Sequence, residues 1–523
     1  MAVAPHALAA QTALAILRDG GNAIDAMIGA AATIAVVYPH MNSIGGDSFW
    51  LISLPGRTPM AIDACGAAAS AASIGWYRAL GIENSIPFRG GVAANTVAGT
   101  VSGWGTAHEL SRKVAQGRMP LARLLADAIH YAGSGVPVTT SQAHATAEKL
   151  GELRDVPGFA GAFLVNGDVP AAGSLFVQAR LAATLTRIAE AGTGDFYRGD
   201  LARSLAADLA RTGSPLALAD LHAHHAMLRN PLRLVHSAGE LYNFPPPTQG
   251  LVSLLILGML DELDSAGSDP LGAALVHACV EATKKAFVVR DAHITDPAYM
   301  SVAPEALLDR NAIRQLASGI DPGRAAPWGR RTQPGDTIWM GAADDQGRMV
   351  SFIQSIYHEF GSGVVLDESG ITWQNRGCSF GLNASARNAL LPGRKPFHTL
   401  NPALAVLSGG RTIAYGTMGG DGQPQTQAAV FTRIVKQGMS VQSALSAPRW
   451  LLGRTWGLAS DSLKLESRFP EAVVQTLRAM GHDVEMLGAY DHGVGHAGAI
   501  VRHPDGGLEG GFDPRSDGAV AAY

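Results

Sequence analysis

The residue pattern changes texture near position 336, and that change limits what the chain can fold into. Before it, apolar residues recur at helical spacing over 6–37, 120–132, 175–191, 201–212 and 271–292, while strand-like runs are sparse before Leu232. After it, short apolar runs with β-branched residues, such as Met349-Val350-Ser351-Phe352-Ile353 and Arg411-Thr412-Ile413-Ala414-Tyr415, alternate with glycine turns. Between the two textures, 318–336 has a loop composition rich in Gly, Pro and Arg and forms the best candidate boundary in the chain. A mostly helical first part that also contributes to the sheet and a sheet-forming second part are expected. Within 6–37, Gly20-Gly21-Asn22 reads as a helix stop and a new start, which implies two packed helices.

Composition narrows the class. Charged residues make up 16% of the chain and apolar residues 47%, against ~25% charged in typical soluble domains, which calls for an extensive buried interior and excludes disorder. The 62 glycines follow no G-X-Y period and read as tight turns and close backbone approaches. Net charge is -4, without a basic block, so nucleic acid is not an expected partner. Cys65, Cys279 and Cys378 lie far apart without CxxC spacing, which fits a reducing compartment. The apolar stretches 26–38 and 251–260 fall short of the ~20 residues a membrane span needs. The first six residues show no basic region leading into an apolar core, so the expected location is cytoplasmic. No repeat, heptad series or GxxxxGK[ST] occurs. His222-Ala223-His224-His225 has only Asp220 as a nearby acidic ligand and reads as a solvated helix end. No metal is expected.

Motifs carry the reading further. They are Gly20-Gly21-Asn22-Ala23-Ile24-Asp25-Ala26, Tyr38-Pro39-His40 with Ile44-Gly45-Gly46-Asp47, Pro245-Pro246-Pro247-Thr248-Gln249-Gly250, and Glu281-Ala282-Thr283-Lys284 with Arg290-Asp291. Gly361-Ser362-Gly363, Gly419-Gly420, Ala447-Pro448-Arg449 and Asp513-Pro514-Arg515-Ser516-Asp517-Gly518 follow in the second part. In identity and order this set resembles the gamma-glutamyltransferase family of N-terminal-nucleophile hydrolases. The resemblance implies an α+β fold, a four-layer α-β-β-α sandwich. It also implies a proenzyme that cuts itself between Asp336 and Thr337 into chains 1–336 and 337–523, which build the fold jointly as a heterodimer; whether two heterodimers pair stays open. No cofactor is implied.

The same resemblance makes Thr337 the nucleophile, Ser355 a second hydroxyl that orients it, and Gly419 and Gly420 the oxyanion donors. The chemistry is coherent. A freed α-amino group, with an ordinary pKa of ~7.7 to 8.0, can act as base for the hydroxyl of its own residue. Backbone N–H groups of a glycine pair can meet an oxyanion without crowding the substrate.

The sequence departs from the family where a gamma-glutamyl substrate would be held. Cys65 occupies the position of the arginine that binds the α-carboxylate, Ser379 that of the aspartate for the α-amino group, and Tyr357 that of an asparagine. Losing two charge-assisted anchors, each worth about 1.5 to 3 kcal/mol, disfavours a zwitterionic substrate. In their place stand Arg376, Tyr357, His398 and Thr399, a basic and hydroxylated set suited to a small anion without an amino group. The runs 355–363, 373–377 and 416–420 resemble the oxamate amidohydrolase branch, which acts late in purine and allantoin nitrogen salvage. The expected function is hydrolysis of a small carboxylate-bearing amide, oxamate above all, to oxalate and ammonia through an acyl-threonine. The alternatives are a gamma-glutamyl hydrolase or transferase, a beta-lactam side-chain acylase, and an unprocessed, non-catalytic relative.

Overall fold

The computed structural model of the chain describes residues 1–263, 269–329, 336–454 and 460–523. Its first part begins with β1 (Ala2–Ala4), α1 (Ala7–Arg18), α2 (Ala23–Val37), β2 (Asp47–Ser53) and β3 (Met60–Ala64). Helices α3 (Thr100–Val114), α4 (Leu121–Ser134) and α5 (Ala179–Ala191) follow, then β4 (Met227–Arg229), β5 (Leu232–His236), β6 (Gly239–Asn243), α6 (Gly250–Glu262) and α7 (Ala273–His293). The second part supplies β7 (Asp336–Ala343), β8 (Met349–Tyr357), β9 (Ala403–Leu407), β10 (Thr412–Thr417), α8 (Gln423–Phe431), β11 (Ala497–Arg502), β12 (Leu508–Phe512) and β13 (Ala519–Ala521).

Two antiparallel sheets stack on one another. The first has the order β13-β1-β7-β8-β2-β3-β4 and the second β12-β11-β10-β9-β6-β5. Phe49, Leu51, Trp339 and Ile353 of the first meet Tyr242, Leu404, Ala414 and Ile500 of the second in a dry layer between them. On the outer face of the first sheet, Trp50, Ile52, Met340 and Phe352 pack under α1 to α5; on the outer face of the second, Ala405, Ile413 and Val501 pack under α6 to α8. This is the expected α-β-β-α order, and each sheet takes strands from both sides of residue 336.

Local chemistry explains the elements. Asn22 accepts from Ile24 N and Asp25 N, and Asp25 returns the bond to Asn22 N, a capping box that starts α2 where the glycine break was expected. Every residue of α2 is buried, as a helix apolar on all sides must be. Gly416 and Gly498 face each other across β10 and β11, and a Cβ on either would sit within 2.4 Å of the Trp339 ring. The Glu281/Lys284 motif on α7 grips the chain that leads toward 336: Lys284 Nζ donates to Ala326 O at 2.6 Å and Ala326 N to Glu281 Oε2 at 3.1 Å.

The first part contributes strands as well as helices, and β2 and β3 lie inside the first sheet. Both of their faces are covered, so the alternation that marks a half-exposed strand is missing. One expectation needs correction, since the histidine cluster is not wholly solvated: His222 and His225 are exposed, but His224 is buried against the Tyr197 ring, 5.1 Å between centroids. The expected boundary loop contains no helix or strand over 319–329, and its residues 330–335 lie outside those described. Among the described residues no helix is long and apolar enough to cross a membrane.

Candidate active site

Thr337 on β7, Ser355 on β8 and Asp47 on β2 stand on three adjacent strands, and Asp47 is the register partner of Ser355. Strand alternation turns all three toward the second sheet, since Trp339, Ile353 and Phe49, each two residues away, belong to the layer between the sheets. The pairing of β7 with β8 slips between Gln354 and Tyr357, so that Ser355 and Ile356 together oppose Thr337. Such a bulge re-aims side chains at a site. Thr337 Oγ1 donates to the Gln354 carbonyl at 2.9 Å, which also accepts from Asn42 Nδ2 at 3.1 Å. Ser355 Oγ accepts from Tyr357 N at 2.8 Å. Tyr357 has φ +83°, a left-handed conformation that costs a side chain of order 1–3 kcal/mol.

That turn places the Tyr357 ring against Arg376, whose guanidinium carbon lies 3.6 Å from the ring centroid. Arg376 is 1% exposed. Its Nη1 donates to Phe397 O at 3.3 Å and its Nη2 to Thr399 Oγ1 at 3.4 Å, both long bonds. Among the described residues it makes no ion pair. Burial depresses its pKa, which Tyr357 and Asp47 partly restore, and burial pushes the Tyr357 hydroxyl up to about 12.

Beside it, His398 Nε2 meets Asp47 Oδ2 at 3.1 Å, and His398 stands edge-on to Phe49 with centroids 4.9 Å apart. Asp47 Oδ1 accepts from Gly66 N and Gly99 N, both at 3.0 Å. Burial pushes the Asp47 carboxyl up to about 7, against the pull of those bonds and of Arg376. His398 is held well below its usual value by burial and by the charges of Arg376 and Lys395. Cys65 is buried, its thiol raised well above the ordinary range by burial and by Asp47, and its Sγ donates to Gly66 O at 3.5 Å. Asp47, Cys65 and His398 bring three potential ligand atoms within 4.8 Å of one another. A neutral thiol, a carboxylate already filled by backbone N–H groups and an adjacent guanidinium are a poor donor set for a cation.

Gly419 and Gly420, at φ +114° and +52°, lead β10 into α8 through a short 3-10 turn and not into a hairpin. Gln249 Nε2 ties this turn to the rest of the site by donating to Gly420 O at 2.8 Å and to Thr399 O at 2.9 Å. Gln249 Oε1 accepts from Arg290 Nη1 at 3.3 Å, and Arg290 pairs with Asp421 at 2.8 Å in a buried ion pair. A cleft of about 200 Å³ lined by Arg290, Ser379, Phe397 and Asp421 lies alongside; Ser379 Oγ has no partner among the described residues.

The structure thus joins Thr337 to Ser355 and Tyr357, Tyr357 to Arg376 and Thr399, and Thr399 to Gly420. His398 and Cys65 gather around Asp47, and Ser379 faces the neighbouring cleft. Asp47, Gln249, Arg290 and Asp421 were not among the expected site residues, although the first three lie in quoted motifs. An acid following a glycine pair was the available signal for Asp47.

The model of the family described as Gamma-glutamyltranspeptidase matches residues 9–523. The chain belongs to that family. An oxamate amidohydrolase proenzyme of Klebsiella pneumoniae is 58% identical to it, over 100% of this chain and 98% of the relative. A glutathione hydrolase-like proenzyme of Bacillus subtilis is 40% identical over 99% of this chain and 98% of its own. The crystal structure of a cephalosporin acylase from Bacillus halodurans superposes with TM-score 0.90 at 34% identity, covering 100% of this chain and 95% of that one. As a member of the gamma-glutamyltranspeptidase family with the N-terminal-nucleophile fold, the protein is an amidohydrolase.

Proposed function

We propose that the protein hydrolyses oxamate to oxalate and ammonia after cutting itself between Asp336 and Thr337. The observation that carries the substrate reading is Arg376, a fully buried guanidinium without an ion pair among the described residues. A buried charge left uncompensated is costly, and a carboxylate adjoining the scissile amide would complete it. The end-to-end likeness to an oxamate amidohydrolase supports the same substrate.

In the reaction, the Thr337 hydroxyl attacks the amide carbonyl while the α-amino group freed by self-cleavage takes its proton. Gly419 and Gly420 donate backbone N–H groups to the tetrahedral oxyanion. Collapse breaks the C–N bond, the proton passes to the departing nitrogen, and ammonia leaves an oxalyl ester on Thr337. Water, deprotonated by the same amino group, attacks the ester and releases oxalate. Ser355 orients Thr337 through the bulge, and Arg376, Tyr357, His398 and Thr399 hold the substrate's carboxylate, with Cys65 and Ser379 lining the pocket. On this reading the processed protein is a heterodimer of 1–336 and 337–523, working in the cytoplasm on nitrogen salvaged from purines.

Ammonia release from oxamate by purified protein tests the reading, with Thr337→Ala as control and a gamma-glutamyl anilide in parallel. Ammonia that disappears in the variant is the expected result. Cleavage of the anilide alone would show that other groups replace the anchors lost at Cys65 and Ser379.

A further inference from the structure

The buried contact between Asp47 and His398 has no counterpart in the mechanism above. Asp47 Oδ1 is committed to Gly66 N and Gly99 N and the Gln374 side-chain amide also supports the carboxylate, while Oδ2 faces His398 Nε2. His398 Nδ1 is buried and has no partner among the described residues. The two ring nitrogens are coupled. When Asp47 is ionised, Nε2–H donates to it and Nδ1 offers a bare lone pair. When Asp47 carries a proton, it donates to Nε2 and the ring hydrogen moves to Nδ1. The first state sets a carboxylate within electrostatic reach of Arg376, which offsets its charge and repels an anion. The second leaves Arg376 as the uncompensated charge and supplies a second N–H.

We propose that Asp47 and His398 are a proton-sharing pair that positions the substrate: the pocket admits a carboxylate to Arg376 when the pair holds its extra proton, so anion binding and proton uptake are coupled. The inference rests on the substrate reading above. A carboxyl that titrates near neutrality is consistent with it. The other groups that face the pair are Arg376, Lys395, Cys65 and Tyr197. Of these, only a thiol and a phenol could compete for the proton, and burial keeps both neutral. In the processed protein the α-amino group of Thr337 titrates as well, but it belongs to the chemical step.

The test is the pH dependence of oxamate turnover by the processed enzyme and by Asp47→Asn. Asparagine can keep both backbone bonds through Oδ1 and donate from Nδ2 to His398 Nε2, which fixes the protonated arrangement. In wild type, KM should rise by up to about tenfold per pH unit above the titration of the pair, while kcat does not follow that titration; in Asp47→Asn, KM should be flat. A flat wild-type KM, or an unchanged KM profile in the variant, would overturn the proposal. If the variant does not fold, calorimetry of oxalate binding to wild type in buffers of different ionisation heat decides: up to one proton should be taken up per anion slightly above neutral pH, and binding without uptake refutes the coupling. Absence of both oxamate turnover and oxalate binding would remove the substrate reading and this proposal together, whereas turnover without coupling removes the proposal alone.

Discussion

The Arg376 guanidinium rests on the Tyr357 ring, 3.6 Å from its centroid, and Tyr357 can be there only because its backbone takes a left-handed turn directly after the bulge opposite Thr337. The proposed nucleophile and the proposed anion anchor are therefore parts of one backbone irregularity. The geometry that aims Thr337 also aims Arg376.

Arg376→Lys keeps the charge but loses the planar fork and the stacking surface. We expect kcat/KM for oxamate to fall by about 10- to 150-fold, equivalent to about 1.5–3 kcal/mol of charge-assisted bonding, with the loss mainly in KM. Steady-state kinetics on processed protein checks this.

Thr337→Ala should remain a single chain of 523 residues without activity, and Thr337→Ser should cut itself and retain slower turnover. Intact-mass measurement after purification reads both results. A cut Thr337→Ala variant would refute Thr337 as the self-cleaving residue.

Ser355→Ala removes the hydroxyl that accepts from Tyr357 N at the bulge, a hydrogen bond worth about 0.5–1.5 kcal/mol. Slower self-cleavage and a lower midpoint in denaturant are expected. Ser355→Thr keeps the hydroxyl and should restore both.

Asp47 has its carboxyl raised by burial from 3.8 to about 7. The folded protein therefore binds this proton more tightly than the unfolded chain, and the associated stability is fully present at pH values below the unfolded pKa and is lost as pH rises through about 7. Asp47→Asn cannot ionise, so its melting temperature relative to wild type should increase from acidic to mildly alkaline pH. A constant difference would contradict the raised pKa.

Gly416→Ala would drive a Cβ to 2.1 Å from the Trp339 ring, two residues from Thr337. Overpacking of this kind costs about 1–3 kcal/mol. A loss of stability accompanied by slower self-cleavage is expected, because Trp339 must shift along the strand that carries the nucleophile.

Much of this was legible in the residues. Gly20-Gly21-Asn22 announced the α1–α2 break because capping is local chemistry, and β8 and β10 were legible from β-branched runs between turns. Strand β2 was not, since Asp47–Ser53 is buried along its whole length and shows no alternation. The hydroxyls and the glycine pair could be proposed from motif order. Asp47 could not, because its partner His398 is 351 positions away and only the stacking of the two sheets brings them together. Gln249 was equally hidden: its role depends on reaching two carbonyls, at 399 and 420, that no local pattern connects to it.

Both sheets are shared across position 336: β7 and β8 stand between β1 and β2 in one, and β9 pairs with β6 in the other. A break in the chain between Asp336 and Thr337 thus changes connectivity without creating separable modules. Neither fragment owns a complete sheet, so pulling the two apart would require breaking backbone pairing in both sheets. The cut molecule should melt in one cooperative transition, and two differently tagged preparations mixed after maturation should never trade halves.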